Sequence, residues 1–184
     1  MASDARVRYT KMVITQSFIK ILKTKPINKI TVKEICAMAE INRATFYKHY
    51  LDVYDLLEKI EAQFLDELRD ILNSRANNTT KDILTLIMVS FKADEETYKA
   101  ISSSNGDPTF PAKILETCNY ITQTQMDIIM NKKLTQKQKE WIYQFTAHGC
   151  NGILNNWISG GMKEPISEVA DFVEQLIKNS LSGC

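Results

Sequence analysis

Between Arg43 and His49 the chain sets out a guanidinium, a hydroxyl, a phenol, an ammonium and an imidazole in close succession. Arginine can bond bidentately to the major-groove edge of guanine, and threonine can offer a hydroxyl or a methyl. The small Ala44 lets a helix approach the bases closely. Tyr47, Lys48 and His49 suit phosphate oxygens, which fix register without reading sequence. Thr31 and Lys33, shortly upstream, complete the candidate DNA-binding set with Arg43, Ala44, Thr45, Tyr47, Lys48 and His49. The chemistry in view is recognition of a duplex by hydrogen bonds and charge. Catalysis is not expected, because the chain has no Gly-rich phosphate loop, no His-Glu-x-x-His, no Gly-x-Ser-x-Gly and no paired His/Cys cluster.

Two short helices must position these groups. Thr31 and Glu34 have the spacing of a capping box, and Ile30 and Ile35 that of a hydrophobic staple, so a helix starts after Thr31. Val32, Ile35, Cys36 and Ala39 give it an apolar stripe. Glu40-Ile41 then turns the chain to Asn42, a preferred N-cap, and a second helix is expected over Asn42 to Tyr50. Phe46 and Tyr50, four apart, share its inward face. Ala44 and Lys48 then lie opposite, with Thr45 and Tyr47 on the flanks and Arg43 at the exposed start. A polar helical hairpin in any all-α protein would carry similar caps.

The stretch resembles the DNA-binding domain of the TetR family of bacterial transcriptional regulators through Ile30-Thr31-Val32, Ile35, Ala39, Ile41, Asn42, Thr45-Phe46-Tyr47, His49-Tyr50 and Leu56-Leu57. The resemblance implies an all-α fold of about nine helices. Residues 1–51 would form a three-helix helix-turn-helix domain, and residues 52–184 a helical bundle for effector binding and dimerisation. Two departures stand out. Glu40 occupies the family's turn glycine, so a left-handed residue there costs about 1 kcal/mol or the turn differs. Val53 replaces a lysine common at the start of the next helix, which removes one phosphate contact. These departures are the support for an alternative, a helical protein-interaction module with weakened DNA binding.

Charge is divided to match. Residues 1–50 hold ten Lys/Arg against three Asp/Glu, a formal +7, whereas residues 51–184 hold thirteen against nineteen, a formal −6. A basic head gains affinity by releasing counterions from DNA, and an acidic body discourages wrapping. With 184 residues, 44% of them hydrophobic, the chain can bury a substantial core. No apolar run reaches the ~18 residues of a membrane span and Met1 to Arg8 is polar, so a cytoplasmic location without membrane association is expected. Cys36, Cys118, Cys150 and Cys184 are scattered, with only His49 and His148 to join them, so neither metal, cofactor nor disulfide framework is expected.

Elsewhere, periodicity predicts a helix over Arg6 to Lys23 ended by Pro26, preceded by a short arm whose Arg6, Arg8 and Lys11 reach phosphates or fray. Asp52 should cap a long helix to about Arg75, which the resemblance makes a lever between head and body. Ser74 to Thr80 interrupts, Thr80 or Lys81 opens a helix through Phe91, Asp94 to Ser102 makes a shorter one, and another runs from Pro111 to about Met130. Thr135 and Gln138 form a capping box for a helix that stops at Gly160-Gly161, and a final helix covers Ile166 to Leu181. Gly149 and Gly152 inside a helix suggest a neighbouring helix at close approach. In the family these last two helices pair with those of a second chain, so Gly149, Gly152, Ile153, Val169, Phe172, Val173 and Leu176 are the expected homodimer interface. The homodimer would read a palindromic double-stranded operator. The segment from Phe145 to Gly161 also resembles a Gram-positive subset of the family that includes regulators of dihydroxyacetone-kinase operons.

The function implied is a DNA-binding transcriptional regulator, a repressor governed by a small-molecule or protein effector. Met88, Phe91, Tyr98, Phe110, Tyr120, Met126, Trp141, Phe145 and His148 lie where a pocket would form, but each also reads as bundle core and none is nominated.

Overall fold

The computed structural model describes residues 2–73, 79–114, 116–117 and 134–182. Among them no residue is in a strand; eight α-helices have defined bounds and a further helical stretch occupies 110–114 and 116–117. The helices are α1 (Ala2–Leu22), α2 (Val32–Met38), α3 (Arg43–Tyr47), α4 (Val53–Asn73), α5 (Thr80–Ala93), α6 (Glu95–Ile101), α7 (Gln136–Ser159) and α8 (Ile166–Ser182), with a 3-10 turn at Ile27–Lys29. The expected all-α class stands. Most of the helix expected from Pro111 to Met130, with Cys118, Tyr120 and Met126, lies outside the described residues, as does Cys184.

The chain forms two compact units, 1–64 with 96–110, and 65–95 with 111–184. In the first, Ile14, Phe18 and Leu22 of α1, Ile35 of α2, Phe46 of α3 and Leu56 of α4 are all fully buried around one core. The expected arm is a correction: α1 is helical from Ala2, because nothing between Ala2 and Leu22 breaks a helix, and Arg6, Arg8 and Lys11 ride on its exposed surface. Its end differs too. The helix stops at Leu22, where Thr24 N–H and hydroxyl both bond to Ile21 O at 3.0 and 3.1 Å, while Pro26 supplies the extended residue that opens the 3-10 turn.

Residues 96–110 belong to this unit although they are remote from it in sequence. Asn105 is the reason. Its carbonyl accepts Ile27 N–H at 2.8 Å and its side-chain amide donates to Leu22 O at 3.0 Å, so it satisfies polar groups where α1 ends. Lys23 pairs with Glu96 at 2.8 Å beside it. Phe64 of α4, Tyr98 of α6 and Phe110 form a triangle of rings with centroids 6.1 to 6.3 Å apart. Tyr98 and Phe110 are therefore core residues.

In the second unit α8 packs against α5 and α7. Ile83, Leu84, Ile87, Met88 and Phe91 of α5 are buried, as are Ala170 and Val173 of α8 and Tyr143, Trp157 and Ile158 of α7. Lys81 pairs with Asp171, and Trp157 Nε1 donates to Glu164 O at 3.0 Å. Thr79 caps α5 in a box with Asp82, and Thr135 caps α7 in the expected box with Gln138.

Two consequences are measurable. Glu34 closes the box with Thr31 and pairs with Lys25 at 2.6 Å. The Lys25 ammonium first, then the Thr31 hydroxyl and amide, hold its carboxyl at about 2 instead of 4.5. A lowered folded pKa stabilises above the unfolded value and is lost on acidification towards the folded one. Comparing thermal midpoints of wild type and Glu34→Gln should therefore show a gap that is full above pH 4.5 and closes towards about pH 2; a gap independent of pH would contradict the ion pair. At Gly106 a Cβ would strike Ile101 O and come within 2.9 Å of Ala100 O. Gly106→Ala should thus lower stability by about 1–3 kcal/mol in urea unfolding, and an unchanged midpoint would show that the 102–109 loop yields freely.

Candidate nucleic-acid interface

The candidate reader is built on a helix too short to stand alone. Asn42 starts it: its Oδ1 accepts Thr45 N–H at 2.7 Å and the Thr45 hydroxyl at 3.0 Å. Phe46, fully buried, anchors it, and Tyr50 joins the same core with ring centroids 5.5 Å apart. The Tyr50 hydroxyl is hydrogen-bonded to Thr15 of α1, and burial pushes its ionisation up. Glu40 adopts φ 54°, so the left-handed turn expected of a glycine is kept with a side chain in place.

α3 is shorter than the expected Asn42 to Tyr50. After Tyr47 the chain tightens: Lys48 N–H still reaches Ala44 O, but His49 N–H bonds three residues back to Phe46 O at 2.9 Å. Tyr50 N–H shares that acceptor at 3.0 Å. Tightening of this kind is common in the last turn of a helix, and here Tyr50 enters the core just beyond it.

Arg43, Ala44, Tyr47 and Lys48 are exposed, and Thr45 and His49 are half-buried on the flanks. One segment thus presents a guanidinium, an open alanine surface, a phenol and an ammonium to solvent. Thr31 and Lys33 are exposed at the start of α2. Two hydroxyls are already committed, however. Thr31 donates to Glu34 Oε2 at 2.8 Å and Thr45 donates to Asn42, so Lys33 is the free donor at the start of α2 and Thr45 has its methyl to offer.

Sequence reasoning missed Lys59. Its ammonium donates to His49 O at 3.0 Å and to Asp55 Oδ2 at 2.8 Å, and it sits 5.4 Å from the centre of the Tyr50 ring. The Asp55/Lys59 spacing of four was the available signal. Asp52 Oδ1 caps α4 as expected, accepting Tyr54 and Asp55 N–H at 2.8 and 2.9 Å.

The residues expected at a dimer interface divide. Gly149 and Gly152 are exposed, and a Cβ at either would meet nothing within 4 Å, so the close neighbour expected for them is not found among the described residues. Phe172 and Leu176 are 56% and 43% exposed, while Ile153 and Val169 are intermediate. Val173 is a correction: at 1% exposure it faces the core of its own unit, because the α8 stripe splits into an inward edge with Ala170 and an outward edge with Phe172 and Leu176. Trp141 and Phe145 of α7, read as core or pocket, are instead 62% and 72% exposed, on the helical edge that carries the two glycines. His148, expected among apolar neighbours, is exposed and bonded to Gln144 Oε1 at 3.1 Å. Burial raises the Cys36 thiol, and that of Cys150 to about 11, which leaves both unreactive near neutral pH. Among the described residues no group of three or more His, Cys, Asp or Glu is placed to hold a metal, and no helix is long and apolar enough to cross a membrane.

Known proteins share this arrangement. Residues 78–179, more than half of the chain, match the family model TetR_C_8, described as a transcriptional regulator C-terminal region. Comparison with curated proteins finds no significant match. The dihydroxyacetone kinase operon activator DhaS is similar in structure, with 18% identity, TM-score 0.67, and 94% of this chain and 96% of that one covered. A TetR transcriptional regulator from Streptococcus agalactiae 2603V gives 19% identity and TM-score 0.67 over 96% and 98% of the two chains. NalD, the secondary repressor of the MexAB-OprM multidrug efflux pump in Pseudomonas aeruginosa, gives 13% identity and TM-score 0.65 over 95% and 98%. At these identities the likeness to the solved structures carries the fold, whereas the family model covers the chain's own sequence. The chain belongs to the TetR family of transcriptional regulators.

Proposed function

We propose that the protein is a homodimeric, sequence-specific DNA-binding repressor whose grip on a palindromic operator is changed by a small-molecule or protein effector. The observation that carries this reading is the capped, core-anchored α3 with Arg43, Ala44, Tyr47 and Lys48 turned outward. Residues 1–51 read the duplex, and residues 52–184 dimerise and take the effector. Arg43 bonds a guanine edge, Ala44 admits the helix to the groove, and Thr45 contributes its methyl. Lys33, Tyr47, Lys48 and His49 hold phosphates, which makes affinity fall steeply with salt.

A single reader touches few base pairs, so selectivity calls for two. The outward edges of α7 and α8 support a two-fold pairing: exposed Trp141, Phe145, Phe172 and Leu176 are costly to leave in water, and the open backbone at Gly149 and Gly152 admits a close helix. Effector binding in the body would tilt α4, whose 21 residues span roughly 31 Å, and so change the separation of the two readers. The similar structures include both an operon activator and a repressor; repression requires that the operator overlap a promoter, and the genes beside this one are its first candidates.

Arg43→Ala should cost about 1–3 kcal/mol and relax preference at one position per half-site, while Lys48→Ala weakens all duplexes alike and reduces the salt slope by about one. Equal losses on specific and random DNA for both variants would refute that division of labour. Light scattering should find a dimer for wild type and a folded monomer for Gly152→Leu and Phe172→Glu. Since nothing among the described residues lies within 4 Å of a Cβ at Gly152, a dimeric Gly152→Leu would remove this edge from the interface.

A further inference from the structure

The corner between α3 and α4 is where the reader's direction is decided. α3 ends at Tyr47 and α4 begins at Val53, so residues 48–52 must redirect the chain. The incoming side is tied by His49 and Tyr50 N–H on Phe46 O, and the outgoing side by Asp52 Oδ1 on Tyr54 and Asp55 N–H. Between them stand the His49 carbonyl and the Leu51 N–H, on either side of Tyr50. Both are held by a single ion pair from the first two turns of α4: Asp55 Oδ2 accepts Leu51 N–H at 2.8 Å, and Lys59 Nζ donates to His49 O at 3.0 Å while pairing with Asp55 at 2.8 Å. The same ammonium lies 5.4 Å from the centre of the Tyr50 ring.

We infer that the Asp55–Lys59 pair is a positioning device for the DNA reader: it locks the 49–51 corner so that α3 presents Arg43 and Lys48 at one fixed angle to α4, and Lys59 is not itself a ligand of the duplex. This deepens the DNA-binding reading and rests on it. A half-exposed ion pair contributes little to stability on its own, so its effect lies in geometry. Lys59 also places positive charge at the carbonyl end of the reader segment, where the backbone dipole is negative. A phosphate drawn to Lys59 would meet the Asp55 carboxylate that shares its charge, whereas Lys48 has no carboxylate partner among the described residues. Because both partners belong to α4, any tilt of that helix is passed to the corner through two backbone bonds.

The test uses the full-length protein, a duplex selected by wild type from a random pool, and a scrambled duplex of the same length. Lys59→Met should weaken the selected duplex about tenfold, comparable to loss of one well-formed base contact. Binding to the scrambled duplex and the salt slope should stay as in wild type, and Lys59→Arg should restore most of the loss. Asp55→Asn, which keeps an acceptor for Leu51 N–H but releases the ammonium, should shift the selected-to-scrambled ratio the same way, so the result does not hang on the folding of one variant. A salt slope reduced by about one in Lys59→Met would make Lys59 a phosphate ligand and overturn the inference. An unchanged selected-to-scrambled ratio with only a lower thermal midpoint would overturn it as well. Failure of wild type to select any duplex is a different outcome, and it removes the DNA-binding reading beneath.

Discussion

A helix of five residues has no stability of its own, since isolated helices below about 12–15 residues are marginal in water. α3 exists because Asn42 satisfies its first amides and Phe46 is driven into the core of α1, α2 and α4. Burying a phenylalanine is worth about 1.5–3 kcal/mol, more than a cap alone supplies. The same insertion decides which way the polar groups point. With Phe46 inward, Ala44 and Lys48 must face out, and Arg43 must stand at the open end. Packing and function are therefore two faces of one constraint.

Charge follows that geometry. The formal +7 of residues 1–50 is balanced by −6 over the rest, so the protein carries a strong internal polarity at almost no net charge. Two acidic groups near α3 are already engaged: Glu34 by Lys25 and the cap, Asp55 by Lys59 and Leu51 N–H. Carboxylates neutralised in this way repel a phosphate backbone less. In the second unit the apolar surface left outside on α7 and α8 is of the kind that marks association.

Features carried by near neighbours in sequence were the legible ones. The boxes at Thr31/Glu34 and Thr135/Gln138, the cap at Asn42 and the inward pair Phe46/Tyr50 all follow from spacings of three and four residues. What escaped depends on tertiary partners. Nothing local tells that Asn105 will bond to Leu22 and Ile27, more than seventy positions away, or that residues 96–110 will pack with the head. Helical period placed Val173 and Phe172 on one stripe, but only the position of α5 divides them into inner and outer edges. Trp141 and Phe145 were misread as core for the same reason: an apolar stripe does not say whether its cover comes from its own chain. Among the departures from the family pattern, Glu40 changes least, because the chain adopts the left-handed turn despite the side chain.

The central claim is that α3 enters a DNA groove with its aromatic pair inward and its basic face on the bases and phosphates. Selection of random duplexes by the purified protein at low ionic strength, followed by sequencing, measures it most directly. The account predicts enrichment of an inverted repeat whose half-site centres lie one helical turn, about 34–36 Å, or a multiple of it apart. Recovery of an unenriched pool under those conditions would contradict it.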